Sequence, residues 1–146
     1  MTVEDVEARA GIPPKDLINY WTKLIQEDLG TFTDMSRVRE LCHALHEAKQ
    51  LKYFLIEDTG IFAYMIVDDF KGGKALAELI FYIKPQYRGN LRLVKRYIKR
   101  AEKIAIDKCC KCVKIGANID YKDSSLIKLL KRWGYVDDTV SKSLRG

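Results

Sequence analysis

Residues 78–89 read Glu78-Leu-Ile-Phe-Tyr-Ile-Lys-Pro-Gln-Tyr-Arg-Gly89, and a long basic segment follows them directly. The first part is rich in strand-forming residues and ends at Pro85, which cannot donate to a sheet ladder. The Arg88-Gly89 turn then leads into a helical pattern, so the first amides of that helix face the turn. Because such amides lack acceptors within the helix and carry partial positive charge, the junction is predicted to bind phosphate.

The segment after the turn has the clearest helical periodicity in the chain. Its apolar residues share one face of a helix predicted over 91–109, and they are Val94, Tyr97, Ile98, Ala101, Ile104 and Ala105. From Lys84 to Lys114 there are eleven Lys or Arg against Glu102 and Asp107, a net +9, whereas the whole chain carries +6. A local surplus of this size indicates an anionic ligand or partner, although a solvated helix face explains part of it.

The remaining pattern predicts a mixed α/β organisation. Helical spacing, strand-like runs and turn residues define the other elements. The predicted helices are 13–29, 34–49, 91–109 and 124–133, and the predicted strands are 53–56, 61–67, 75–83, 112–119 and 135–144. The first three strands are joined by short turns and should be antiparallel. This order predicts one mixed sheet with helices on both sides, which is a three-layer α/β/α sandwich.

Length and composition are those of one domain spanning 1–146, with helices in 1–50 and the sheet in 51–146. No apolar run approaches the roughly 20 residues of a spanning helix, so no membrane contact is expected. The N-terminus is acidic and lacks the pattern of a signal peptide, which predicts a cytoplasmic location. No metal site is predicted, because the cysteines lack zinc-ligand spacing and are interpreted as reduced, small hydrophobes. They are Cys42, Cys109, Cys110 and Cys112.

This order of elements and the turn resemble the GNAT superfamily of acyl-CoA-dependent N-acetyltransferases over roughly residues 34–144. The family motif Gln/Arg-x-x-Gly-x-Gly/Ala is matched by Gln86-Tyr-Arg-Gly89-Asn-Leu91, with Leu91 where a small residue is usual. The run Ala77–Phe81 looks like the strand that carries the general base in histone-acetylating members. Residues 129–135 resemble the signature Leu-Tyr-x-x-x-Gly-Phe, with Leu130 in place of the tyrosine. The size and the degenerate glycines also look similar to GNAT-like proteins of bacteriophages.

The resemblance implies acetyl-CoA as the acyl donor and assigns its binding residues. The loop 88–93 would hold the pyrophosphate with backbone amides, and the preceding strand would pair with the pantetheine arm. The implied donor-binding residues are Tyr82, Ile83, Lys84, Arg88, Gly89, Asn90, Leu91, Arg92 and Leu93. An additional methyl at Gly89 would obstruct close approach, and Arg88 adds charge.

Transfer to an amine requires a neutral nucleophile, because a protonated amine has no lone pair. The carboxylate of Glu78 is the candidate general base, and the competing interpretation is a solvent-facing charge on a half-exposed strand. The expelled CoA thiolate is a fair leaving group, so one interpretation needs no dedicated general acid. In the other interpretation Tyr135 or Tyr121 substitutes for the usual tyrosine, which Leu130 replaces. The family mechanism is direct transfer, so no cysteine is assigned a nucleophilic role.

The predicted function is therefore transfer of an acetyl group from acetyl-CoA to an amine. The acceptor stays open between a protein lysine, a protein N-terminus, a polyamine, a drug amine and a modified base. An alternative is a catalytically degenerate module that binds nucleic acid or another anionic partner through the basic helix 91–109. A third reading is a nucleic-acid-modifying enzyme of the same fold with a different donor.

Overall fold

The computed structural model describes residues 14–30, 34–116 and 125–136. These residues form four α-helices and four β-strands, with a short 3-10 turn at Pro85–Tyr87. In chain order the elements are α1 Pro14–Leu29, α2 Met35–Glu47, β1 Lys52–Phe54, β2 Gly60–Asp68, β3 Lys74–Ile83, α3 Leu91–Asp107, β4 Cys112–Lys114 and α4 Ser125–Arg132.

The predicted elements are confirmed apart from the last two strands. The strand predicted over 112–119 ends at Lys114, because its parallel ladder with β3 comprises only three residue pairs and ends at Ala77 and Lys114. Residues 117–119 lie outside the described ranges. The strand predicted over 135–144 does not begin at Tyr135, since Tyr135 and Val136 are not in a strand, and its remainder lies outside the described ranges.

The sheet has the strand order β1-β2-β3-β4, with antiparallel pairing among the first three strands and parallel pairing between β3 and β4. One irregularity interrupts the ladder between β2 and β3. Ala63 pairs with Ile80 and Tyr64 pairs with Glu78, so Leu79 is an extra residue in β3. Such a bulge bends the strand and changes which side chains share a face, and here it lies directly beside Glu78.

Helices cover both faces of the sheet. The Tyr82 ring lies 6.2 Å from the Trp21 ring of α1, whereas the adjacent Phe81 ring lies 5.3 Å from the Tyr97 ring of α3. Because neighbouring residues of a strand point to opposite faces, α1 and α3 lie on opposite sides. The mixed α/β three-layer prediction is confirmed.

The layer under α3 is aromatic. Tyr97 is fully buried, and its ring packs against Phe54 and Phe81, at 5.8 and 5.3 Å between centroids. Its hydroxyl lies 2.9 Å from the Thr59 hydroxyl and accepts a hydrogen bond from the Ile56 amide at 3.3 Å. Burial, the first of several influences, raises the pKa of Tyr97 to about 12. These contacts fix α3, and with it the Arg88-Gly89 turn, relative to the sheet.

Candidate active site

A cleft of about 430 Å³ lies at the carboxyl end of β3, where the chain turns into α3. Four of the residues predicted to bind the donor line it, namely Ile83, Arg88, Gly89 and Leu91. Its apolar wall comes from β3, α3 and α4. The wall residues, besides Ile83 and Leu91, are Phe81, Val94, Leu126 and Leu129. A mostly apolar cavity of this size with a few polar groups is typical of a small-molecule site.

The first amides of α3 are presented at this cleft. Asn90 caps the helix, since its side-chain oxygen accepts from the Leu93 amide at 3.2 Å and its carbonyl accepts from the Val94 amide at 3.2 Å. The amides of residues 89–92 have no hydrogen-bond acceptor in the described part of the chain. Gly89 has φ +85° and allows the turn that exposes them. Four successive unpaired amides at a helix start can hold an anion.

Two of the side chains predicted to bind the acyl donor instead stabilise the fold. Asn90 is committed to the cap, and Leu93 is 4% exposed and packs in the core. Arg92 is exposed on the first turn of α3 and is not part of the cleft lining. Their backbone groups nevertheless belong to the same helix start as Gly89 and Leu91, which line the cleft.

Arg88 anchors the turn to the opposite layer. Its Nε donates to the Ile83 carbonyl at 3.1 Å, and its guanidinium forms an ion pair with the Asp28 carboxylate at the end of α1. The guanidinium also lies 5.3 Å from the centre of the Tyr82 ring, whose hydroxyl donates to Asp28 at 2.9 Å. The charge of Arg88 is therefore largely offset by Asp28, although the residue lines the cleft.

Tyr82 and Lys84 direct their side chains towards α1 instead of the cleft. The Lys84 ammonium lies 3.1 Å from the Asp58 carboxylate and 5.5 Å from the centre of the Trp21 ring. Burial opposes the charged form of Lys84, but the hydrogen bond and charge of Asp58, with a smaller influence of Tyr20, leave its pKa above the ordinary value. A role for Tyr82 and Lys84 in donor binding through their backbone stays a prediction.

Glu78 is buried, with 5% of its surface exposed. The competing sequence interpretation, a solvent-facing charge, is therefore wrong. The bulge pairs Glu78 with Tyr64, so the two side chains share a face. Glu78 lies three residues before Phe81 on β3, roughly 10 Å along the strand from the start of the cleft wall. Glu78 is therefore a buried acidic group further along β3 from the start of α3 than the residues that line the cleft.

Tyr135 does not line the cleft. Its hydroxyl donates to the Glu102 carboxylate at 3.0 Å. Burial, followed by the charge and hydrogen bond of Glu102, raises the pKa of Tyr135 well above its ordinary value. A phenol in this environment is a weaker acid, so its position gives no support to the predicted acid role. Tyr121, the other candidate, lies outside the described residues.

Sequence reasoning missed two cations of this site. Lys128 and Arg132 lie on α4 and both line the cleft. Their spacing of four residues puts them on one helix face beside Leu129, and this is the signal that was available in the sequence. Without the packing of α4 beside the start of α3, that spacing does not distinguish a ligand site from a solvated helix face.

The basic side chains of α3 point outwards, as the amphipathic pattern predicted. Arg92, Lys95, Arg96, Lys99 and Lys103 are exposed, opposite the buried apolar face. Arg96 pairs with Glu57 at 3.2 Å and Lys99 with Glu102 at 3.7 Å. Exposed pairs of this kind contribute little to stability.

Within the described residues no group of His, Cys, Asp and Glu side chains is arranged to hold a metal ion. No helix among them is long and apolar enough to cross a membrane. Cys42 is buried, and burial raises its pKa to about 11. Burial likewise raises the pKa of Cys110, which disfavours a nucleophilic thiolate at either position.

No family profile and no curated protein matches the sequence. Solved structures do match its fold. A predicted acetyltransferase from Clostridium acetobutylicum, in complex with acetyl-CoA, aligns with a TM-score of 0.69 and 14% identity over 91% of this chain and 92% of that chain. An acetyltransferase from Trypanosoma brucei aligns with a TM-score of 0.60 and 18% identity over 89% and 93%.

The structure of AAC(6')-Iy with the bisubstrate analogue CoA-S-monomethyl-acetylneamine is also similar, with a TM-score of 0.61 and 14% identity over 88% of this chain and 90% of that chain. At these identities the likeness establishes the fold. The chain has the mixed α/β fold of the GNAT acetyltransferases, as the sequence predicted.

Proposed function

We propose that this protein is an N-acyltransferase that moves an acetyl group from acetyl-CoA to an amine acceptor by direct transfer. The observation that carries the proposal is the cleft in which the unpaired amides of residues 89–92 meet an apolar wall. Amides at a helix start suit a pyrophosphate, and the wall of Phe81, Ile83 and Leu129 suits an uncharged arm. Fold neighbours that hold acetyl-CoA or a CoA-based analogue support the choice of donor.

The donor supplies an activated thioester, and the protein supplies the base and the positioning. Glu78 accepts a proton from the acceptor ammonium, directly or through a water molecule. The neutral amine then attacks the thioester carbonyl, so that a C–N bond forms, the C–S bond breaks and CoA leaves as a thiolate. The thiolate takes up the second proton, which the amine nitrogen releases as it becomes the amide nitrogen. Burial of Glu78 keeps bulk water away from the carboxylate and raises its electrostatic influence on a nearby cation.

Calorimetric titration with acetyl-CoA tests the donor, and Leu91→Glu is the informative variant. Leu91 is 59% exposed, lines the cleft and is the first residue of α3, where a glutamate is favourable for the helix. The new carboxylate should therefore spare folding but repel phosphate. The matched control is Ile127→Glu, because Ile127 is 43% exposed in the first turn of α4 and is not part of the cleft lining.

We expect the wild type and Ile127→Glu to bind acetyl-CoA with a dissociation constant in the range of about 1 μM to 1 mM that enzymes use for substrates. Leu91→Glu should bind at least roughly tenfold more weakly, the equivalent of about 1.4 kcal/mol. Release of free thiol in the presence of a panel of amines then tests transfer. Absence of wild-type binding at millimolar acetyl-CoA would refute the proposed donor.

A second candidate function rests on the outer face of α3. Lys95 and Lys103 are exposed there and have no carboxylate partner among the described residues. Such a face is complementary to a phosphodiester backbone. This reading predicts binding to nucleic acid that weakens steeply with salt and is reduced in a Lys95→Glu, Lys103→Glu protein. Salt-independent or undetectable binding would eliminate it without affecting the proposed transferase activity.

A further inference from the structure

Lys128 and Arg132 form a pair of cations one helical turn apart on α4, and both line the cleft. On the same side of the helix, Leu126 and Leu129 contribute to its apolar wall. Lys131 belongs to the same helix and the same last turn as Arg132, but it is not part of the cleft lining. Lys128 and Arg132 are therefore the two positively charged side chains of α4 that line the cleft.

Among the described residues, the cleft offers these cations no counter-charge. None of its described lining residues is acidic, and neither Lys128 nor Arg132 has an ion pair within the described part of the chain. Arg88, the remaining cation of the lining, already pairs with Asp28. Two like charges four residues apart disfavour an isolated helix, so an anionic ligand would relieve a repulsion that the free protein carries.

We infer that Lys128 and Arg132 bind the phosphate groups of the donor from the α4 side, opposite the amides of residues 89–92. They take the electrostatic role that the turn motif assigns to Arg88, because the guanidinium of Arg88 is held by Asp28. This inference rests on the proposed function and narrows it. The donor is recognised as a phosphate-bearing nucleotide thioester, and a pantetheine thioester without phosphates is a poor substitute.

The test compares three ligands by calorimetry, namely CoA, dephospho-CoA and pantetheine. CoA has a pyrophosphate and a ribose phosphate, dephospho-CoA has the pyrophosphate alone, and pantetheine has neither. The variant is Lys128→Gln with Arg132→Gln, and the control is Lys131→Gln, which removes a cation from the same helix outside the cleft lining. Thermal unfolding without ligand reports whether each protein is folded.

We expect the double variant to bind CoA about tenfold or more weakly than the wild type, with pantetheine affinity unchanged and Lys131→Gln equal to the wild type. A loss that persists with dephospho-CoA assigns the pair to the pyrophosphate, and a loss that disappears assigns it to the ribose phosphate. Wild-type affinity for CoA in the double variant would overturn the inference and leave the proposed function intact. A wild type that does not bind CoA would overturn both.

Discussion

Replacing Gly89 by alanine separates the conformational role of this glycine from its contact with a ligand. Gly89 has φ +85°, and an added Cβ would meet no atom within 4 Å, so the change costs backbone strain without a clash. A left-handed conformation destabilises the folded state by about 1–2 kcal/mol when the residue is alanine. Alanine also lowers the conformational entropy of the unfolded chain, which stabilises the folded state by about 0.4–1 kcal/mol. The net loss of stability should lie between about 0 and 1.6 kcal/mol, which lowers Tm by at most roughly 6 °C for a protein of this size.

The effect on donor binding should be larger. The new methyl would stand on the open side of the turn, where the proposed phosphate approaches the amides of residues 89–92. Loss of one hydrogen bond to a charged group costs about 1.5–3 kcal/mol, which corresponds to roughly a 10- to 150-fold weaker dissociation constant. Calorimetric titration with acetyl-CoA measures this change, and thermal unfolding without ligand measures the strain.

Gly134 provides the matched control. It has φ +93°, an added Cβ would again meet no atom within 4 Å, and it is not part of the cleft lining. Gly134→Ala should therefore lower Tm as Gly89→Ala does and leave acetyl-CoA affinity unchanged. Equal weakening of binding in both variants would show that strain alone is responsible. Unchanged binding in Gly89→Ala would refute the placement of phosphate at this turn.

Two further predictions concern buried groups. Glu78→Gln should leave acetyl-CoA affinity within about twofold and lower kcat at pH 7 by roughly 10²- to 10⁴-fold, as measured by thiol release, and an unchanged kcat would remove Glu78 from the chemistry. The Tyr97 pKa of about 12 exceeds the unfolded value of about 10, so its stabilising contribution is complete below pH 10 and is lost as pH rises to 12. Between pH 10 and pH 12 the free energy of unfolding, measured in urea, should fall by about 3 kcal/mol more in the wild type than in Tyr97→Phe. An equal fall in the two proteins would show that Tyr97 does not contribute in this way.

Local pattern was sufficient to predict α3 and the turn before it. The buried face of α3 includes Tyr97 and Ala101, both fully buried, because burial of an amphipathic helix follows its own periodicity. The antiparallel strands were predictable for a similar reason, since short turns such as 57–60 join neighbouring strands. The unpaired amides at the start of α3, on which the proposed phosphate site depends, follow from the helical pattern and the glycine turn before it.

Tertiary contacts were not predictable from the same pattern. The Asp28–Arg88 ion pair joins residues sixty positions apart, and it changes Arg88 from a free cation into an anchor. The burial of Glu78 was missed because one face of β3 was assumed to be exposed to solvent, whereas no residue of β3 after Lys74 is exposed. The contribution of α4 to the cleft depends on how that helix packs, which no local signal specifies.

Leu91 illustrates why a departure from the family motif need not remove the proposed site. The hydrogen-bond donors that would hold a phosphate are backbone amides. Their direction is set by Gly89 and by the Asn90 cap instead of by the side chain at position 91. Leu91 is 59% exposed and lines the cleft, so its side chain extends the apolar wall beside the helix start. A small residue there would widen the cleft but add no hydrogen-bond donor. Leu91 in place of the small motif residue therefore affects which acyl donor fits the cleft. The proposed binding of an anion at the turn depends instead on the backbone amides.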